Sequence, residues 1–154
     1  YDLGNKIGLS NSELNKLSLL ATLHDIGKTT IAEDILTKPD KLSAEEWEII
    51  KTHTERGYKI VSASEEFSSV AKEVLYHHEK WDGSGYPEGL KGEEIPYLSR
   101  MISIIDAYDV MTNDRTYSPA MSVIEALEEI KSCSGSQFDP ELAEGFVTLK
   151  ENGK

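Results

Sequence analysis

Apolar residues return every three or four positions along most of this chain, the spacing of one face of an α-helix. Leu14, Leu17, Leu20 and Leu23 form the first stripe. Ser10, with Glu13 three residues later, is a capping box that opens it, and the pattern predicts a helix ending at about His24. Residues 26–42 contain Thr37-Lys38-Pro39-Asp40 and predict a turn-rich connection with one short helical turn near 33–36. Ser43 and Glu46 form a second capping box, opening a helix that carries Trp47, Ile50 and Tyr58. His53 falls on the apolar side of that helix, at +4 and +3 from Ile49 and Ile50. Ser64-Glu65-Glu66 predicts the start of a third helix, with Phe67, Val70, Val74 and Leu75 on its apolar face and His77-His78 at its end. Residues 80–98 hold Gly83, Gly85, Pro87, Gly89, Gly92 and Pro96, and a loop of that length and glycine content is expected to be functional or disordered rather than a neutral connector. Further helices are predicted over 98–112 and, behind a Ser122–Glu125 capping box, over 123–132. A last one runs from Asp139-Pro140, cap and first helical position, to about Lys150. No segment alternates like a strand over five residues, so the prediction is an all-α single domain of about six to seven helices with a long Gly/Pro-rich loop.

Composition narrows the partners. With 154 residues, 38% hydrophobic and 29% charged, the chain is long enough to bury its own core. A formal net charge of −12 argues against polymeric nucleic acid, whose binding depends on Lys and Arg neutralising phosphates. It does not argue against a small phosphorylated ligand, because bound divalent cations together with Lys28 and Arg115 would reverse the local sign. No apolar run approaches the ~18–20 residues of a membrane span. The expectation is a cytoplasmic domain with no membrane contact of its own, in a parent protein that other regions could anchor. Cys133 is solitary, which fits a reducing compartment and a small helix-face hydrophobe. The opening Tyr1-Asp2-Leu3-Gly4 reads as the tail of a helix, with Leu3 and Ile7 at its end, and the chain is expected to be a fragment. The apolar groove left by the missing turns is expected to promote self-association, for example as a homodimer.

The candidate chemistry lies in four segments. His24-Asp25-Ile26-Gly27-Lys28, His53, His77-His78-Glu79 and Asp106-Ala107-Tyr108-Asp109 together contain all four histidines of the chain. Taken singly, His24 and His53 read more readily as hydrogen-bonded core residues than as ligands, Asp25 as a cap and Lys28 as a solvated charge. Two adjacent imidazoles at a helix end change that balance, because they are costly to bury neutral and worse to bury charged. Asp106 interrupts a buried helical face, and buried aspartates are rare unless paired or metal-bound. His78-Glu79 lacks the second histidine of H-E-x-x-H, which excludes a zincin. His24, Asp25, His53, His77, His78 and Asp106 supply six ligands from four helices, more than one tetrahedral zinc needs. They suit two divalent ions bridged by Asp25, an arrangement that activates water and clamps a phosphate. Lys28 and Arg115 could neutralise charge developing on phosphorus. No Ser or Cys stands beside a free basic histidine, so the expected reaction is direct hydrolysis of a phosphoester, with Asp25 and Lys28 as its catalytic residues.

HDIGK, the histidine of KTHTERGY, HHEKWDGSGYP and IIDAYDVMTNDRTY stand in the order and spacing of the HD-GYP domain, and from about residue 3 to 149 the chain resembles that branch of the HD superfamily. The resemblance implies a helical bundle that hydrolyses cyclic di-GMP to pGpG and GMP in bacterial second-messenger signalling. It implies the same six metal ligands, two or three iron or manganese ions, and Lys28, Asp109, Arg115 and Tyr86 near substrate. It also implies contacts of Gly85-Tyr86-Pro87 with a diguanylate cyclase-type partner. Two departures stand out: the family's preceding helix, which supplies one more histidine, is absent, and Ser118 replaces a basic residue after the tyrosine of DRxY. The alternatives are a catalytically inactive HD-GYP-like binding module, which the intact ligand set disfavours and the missing helix keeps open, and a general HD-type nucleotide phosphohydrolase, which the complete HHExWDGxGYP run disfavours.

Overall fold

All three capping boxes form. In the computed structural model, which describes residues 4–5, 8–113 and 119–152, Ser10 caps α1 (Asn11–Leu23). Ser43 caps α3 (Ala44–Lys51), and Ser122 caps α7 (Val123–Ser132). In each, the serine hydroxyl accepts from the backbone N–H three residues on, and that glutamate returns to the serine backbone. Between α1 and α3 lie a 3-10 turn at Ile26–Thr30 and the four-residue α2 (Glu33–Leu36). The rest of the chain adds α4 (His53–Ser62), α5 (Ala71–Tyr76), α6 (Tyr97–Thr112) and α8 (Pro140–Asn152). Asp139 Oδ1 accepts from the N–H of Glu141 and Leu142 at the start of α8. Among the described residues the only β contact is an isolated bridge between Ser134 and Phe138. No helix among them is long and apolar enough to cross a membrane.

The core draws one stripe from each longer helix. Leu17 and Leu20 of α1 meet Met101, Ile102 and Ile104 of α6, Leu127 and Ile130 of α7, and Leu142, Phe146 and Val147 of α8. Val61 of α4 and Val74 of α5 close it on the side that carries the histidines. Burying each such side chain is worth roughly 1.5–3 kcal/mol.

Two boundaries differ from the pattern. The helix predicted from Ser43 through Tyr58 breaks at Thr52, whose N–H and hydroxyl both bond the Ile49 carbonyl. Ile49 is exposed, so burial of His53 comes not from the face it was predicted to share but from the packing of α4. The third helix becomes regular only at Ala71, after a 3-10 turn at Ser68–Val70. Ser68 Oγ donates to the Glu65 carbonyl, a local bond of the kind that competes with a helical ladder.

Gly27 sets the geometry of the site. A Cβ there would collide with the His53 carbonyl oxygen and sit 2.7 Å from the Gly57 nitrogen. The 3-10 turn can therefore lie backbone-to-backbone on α4, which carries Asp25 against His53.

Candidate metal centre

Three histidines reach the site in the same way. His24 follows α1, His53 opens α4 just beyond α3, and His77 follows α5. Each ring places Nδ1 on a last-turn carbonyl three residues back: Ala21 at 3.0 Å, Ile50 at 2.7 Å and Val74 at 2.6 Å. A carbonyl only accepts, so Nδ1 carries the proton and Nε2 presents a lone pair. The last carbonyls of a helix lack intrahelical partners, so these bonds satisfy the helix ends and set the tautomer together.

The lone pairs converge on Asp25. His53 Nε2 lies 3.5 Å and His77 Nε2 3.9 Å from Asp25 Oδ1, and the two nitrogens are 3.4 Å apart. Asp25, His53, His77 and His78 each offer a ligand atom within 4.8 Å of the others. On the other side of the carboxylate, Oδ2 lies 3.6 Å from His24 Nε2 and 2.6 Å from Lys28 Nζ. His24 Nε2 is also 3.7 Å from Asp106 Oδ1. All six predicted ligands are thus gathered, in two groups that share Asp25. His53 and His77 are buried at 1% and 2% exposure, whereas the side chains of Asp25 and Asp106 keep 37% and 35%, so imidazoles form the floor and carboxylates the mouth.

A cation fits this arrangement. Asp25 Oδ1 is buried without a hydrogen-bond partner, and it faces two imidazole lone pairs. Three electron-rich atoms with no proton between them repel unless a positive charge stands among them. Ligand atoms bonded to one ion at 2.0–2.2 Å lie roughly 3–4.4 Å from each other, which spans the observed separations.

Proton affinities are arranged to suit. Burial holds His77 well below the ordinary imidazole range, aided by the charge of His78, and it pushes His78 down to about 3. Burial also lowers His53. His24 goes the other way: burial opposes it, but the neighbouring carboxylates of Asp106 and Asp25, which favour the imidazolium, prevail and raise it. For Asp25, burial is outweighed by Lys28, His24 and His77, which hold it below the usual carboxylate range. The neighbouring His24 ring likewise lowers Asp106.

The glycine-rich loop forms one wall. Tyr86 stacks on His78, with ring centroids 5.0 Å apart and planes 27° from parallel. Burial and the charge of Asp25 push its phenol up. Gly85 permits this approach, since a Cβ there would run into the backbone of His78 to Lys80. Glu79, 4% exposed, clamps the loop by accepting from the N–H of Glu88 at 2.8 Å and Gly89 at 3.0 Å. Sequence reasoning missed this residue, although a glutamate between two histidines and a glycine run is a sign of a backbone anchor. Asp109 is exposed, accepts from Asn113 Nδ2 at 2.9 Å and stands outside the ligand groups. Arg115 and Ser118, like Leu3 and Ile7, lie outside the described residues.

Histidines and aspartates from separate helices around one deep point define a class of metal-dependent helical domain, and comparison with known proteins agrees. The family model described as HD domain matches residues 1–142. The chain is 40% identical over 151 residues to a cyclic di-GMP phosphodiesterase of Thermotoga maritima, covering 97% of this chain and 41% of that protein. It is 40% identical over 144 residues to the 3'3'-cGAMP-specific phosphodiesterase 2 of Vibrio cholerae, covering 92% and 28%. Among solved structures, a cyclic GMP-AMP-specific phosphodiesterase of Vibrio cholerae matches with a TM-score of 0.73 and 27% identity, over 97% of this chain and 41% of that one. An HD-GYP protein of Bdellovibrio bacteriovorus has a TM-score of 0.76 at 22% identity, over 97% and 48%, and shows the fold. The chain belongs to the HD domain family. It spans less than half the length of these relatives.

Proposed function

We propose that residues 1–154 form one domain that acts as a metal-dependent phosphodiesterase, opening cyclic di-GMP to pGpG and GMP. The observation that carries this reading is the division of the Asp25 carboxylate, with Oδ1 toward His53 and His77 and Oδ2 toward His24 and Lys28. In it, Asp25 bridges two sites, His53, His77 and His78 complete one, and His24 and Asp106 complete the other. Mixed imidazole and carboxylate donors suit iron or manganese. Divalent cations held there would supply an activated water and positive charge for the phosphate. Lys28 spends one of its three N–H donors on Asp25 and has two left for non-bridging phosphate oxygens. Tyr86 walls the substrate side, and Asp109 and Arg115 are assigned to the substrate rim.

Substrate choice among cyclic dinucleotides has a second reading, 3'3'-cGAMP, because a relative with that specificity is as similar as one named for cyclic di-GMP. The nucleotide messenger implies a cytoplasmic domain. A diguanylate cyclase-type partner would meet the loop at exposed Ser84 and Glu88, since Tyr86 is turned onto His78. The test is chromatography of products from both dinucleotides, with elemental analysis of the protein used. Expected are pGpG from cyclic di-GMP, about two metal equivalents per chain, and loss of turnover with chelator. Metal-replete protein that leaves both dinucleotides intact would favour the inactive binding module instead.

A further inference from the structure

Trp47 is an exposed aromatic residue that the metal centre leaves unexplained. It lies on α3, 46% exposed, on a helix tied down by the Ser43 capping box and by Lys38, which holds Glu46 at 2.7 Å. Its indole meets the ring of Tyr86 edge-on, with centroids 6.5 Å apart and planes at 81°. Tyr86 in turn stacks on His78 and stands 6.5 Å from the His53 ring. Trp47 is therefore separated from the histidine cluster by one aromatic ring. A nucleobase is separated from its phosphate by one sugar. Lys51, one helical turn beyond Trp47 and so on the same face, places Nζ 5.8 Å from the Tyr86 ring centroid. A cleft of about 160 Å³ opens there, lined by Glu48, Lys51, Thr52, Glu55, Tyr86 and Pro87. An exposed indole and a half-buried phenol ring beside a lysine, at the edge of the proposed phosphate-binding centre, are the elements that proteins use to hold unpaired bases.

We propose that Trp47 is the stacking platform for one purine base of the cyclic dinucleotide, with the Tyr86 ring, set at 81° to the indole, against the edge of that base, a binding role that rests on the phosphodiesterase reading above. The platform sets affinity and base preference and leaves the chemical step to the metal centre. It also accounts for a solvent-facing indole on a helix whose own core contribution is small: no residue of α3 is buried.

The test compares metal-loaded wild type, Trp47→Ala and Trp47→Phe on cyclic di-GMP and cyclic di-UMP, with metal content and Tm as controls. Loss of one base stack should raise KM for cyclic di-GMP roughly 10- to 100-fold in Trp47→Ala. Its kcat should stay within about threefold, the weaker-stacking cyclic di-UMP should lose less than about fivefold, and Trp47→Phe should keep most of the affinity. An unchanged KM overturns the proposal. So does an equal loss on both substrates accompanied by lower kcat or metal content, which would make Trp47 a brace for Tyr86. Binding is read separately, in metal-stripped protein, as quenching of tryptophan fluorescence by cyclic di-GMP. If the wild type turns over neither dinucleotide but shows quenching that Trp47→Phe abolishes, the phosphodiesterase reading fails and the platform stands. If the quenching survives in Trp47→Phe or never occurs, the platform falls.

Discussion

Asp25→Asn should separate the cost of the site from its use. The substitution keeps the shape of the side chain and removes its charge. In the metal-free protein, Asp25 Oδ1 is buried, without a hydrogen-bond partner, and 3.5 and 3.9 Å from the bare Nε2 atoms of His53 and His77. An amide turned with its NH2 to that side donates toward those lone pairs and relieves a penalty of about 1–3 kcal/mol. On the other side the amide oxygen still accepts from Lys28, and weakening that half-exposed ion pair costs at most about 1 kcal/mol. Metal-stripped Asp25→Asn should therefore be as stable as metal-stripped wild type, or more stable by up to ~2 kcal/mol, which is roughly 4–8 °C in Tm for a domain of this size. Added Mn²⁺ should reverse the order. At a metal concentration 100 times Kd the wild type gains about 2.7 kcal/mol, whereas the variant gains little. Thermal melts of both proteins with chelator and with Mn²⁺ give all four values. A stripped variant destabilised by more than ~2 kcal/mol, or one with a wild-type metal shift, would refute the claim that Asp25 is held in place for a cation.

Lys28→Ala should retain metal stoichiometry and slow cyclic di-GMP cleavage ~10²- to 10³-fold, measured on the metal-loaded variant, as expected for loss of one preorganised charge. Gly27→Ala forces the 3-10 turn off α4, because its Cβ would overlap the His53 carbonyl. Thermal melts should show a loss of about 1–3 kcal/mol or more, and metal titration a weakened site. The metal-free protein should lose stability as pH falls below about 6.5. His53, His77 and His78 have depressed values in the fold, with His78 near 3, so the unfolded chain binds their protons first. Each contributes up to about 1.4 kcal/mol per pH unit while the fold stays neutral. His24, raised in the fold, opposes this with stability that is fully present below its unfolded value and lost as pH rises through the folded one. Urea midpoints at pH 7.5, 6.5 and 5.5 check the sign, and a flat profile would show that the three imidazoles protonate within the fold.

The reach of local signals explains what could be read without coordinates. A capping box joins residues three apart, so Ser10, Ser43 and Ser122 announced their helices, and each start was found where expected. The donor inventory was equally legible, because four histidines in a chain this length leave few ways to combine them with Asp25 and Asp106. The break at Thr52 was not legible, since the apolar pattern continues through it while the packing of α4 turns the chain. Nor was the direction of each ligand atom, which depends on last-turn carbonyls and on one glycine that brings two backbones together. Glu79 and Trp47 act through partners on a different stretch of chain: Glu79 grips backbone nine and ten residues on, and Trp47 meets a ring on the far side of two helices. Sequence alone determined which donor side chains this chain carries and where its three serine-capped helices begin, because both depend on residue identity and near neighbours. Tertiary structure decided how one carboxylate is shared between two donor groups, because that depends on long-range packing, which no local pattern encodes.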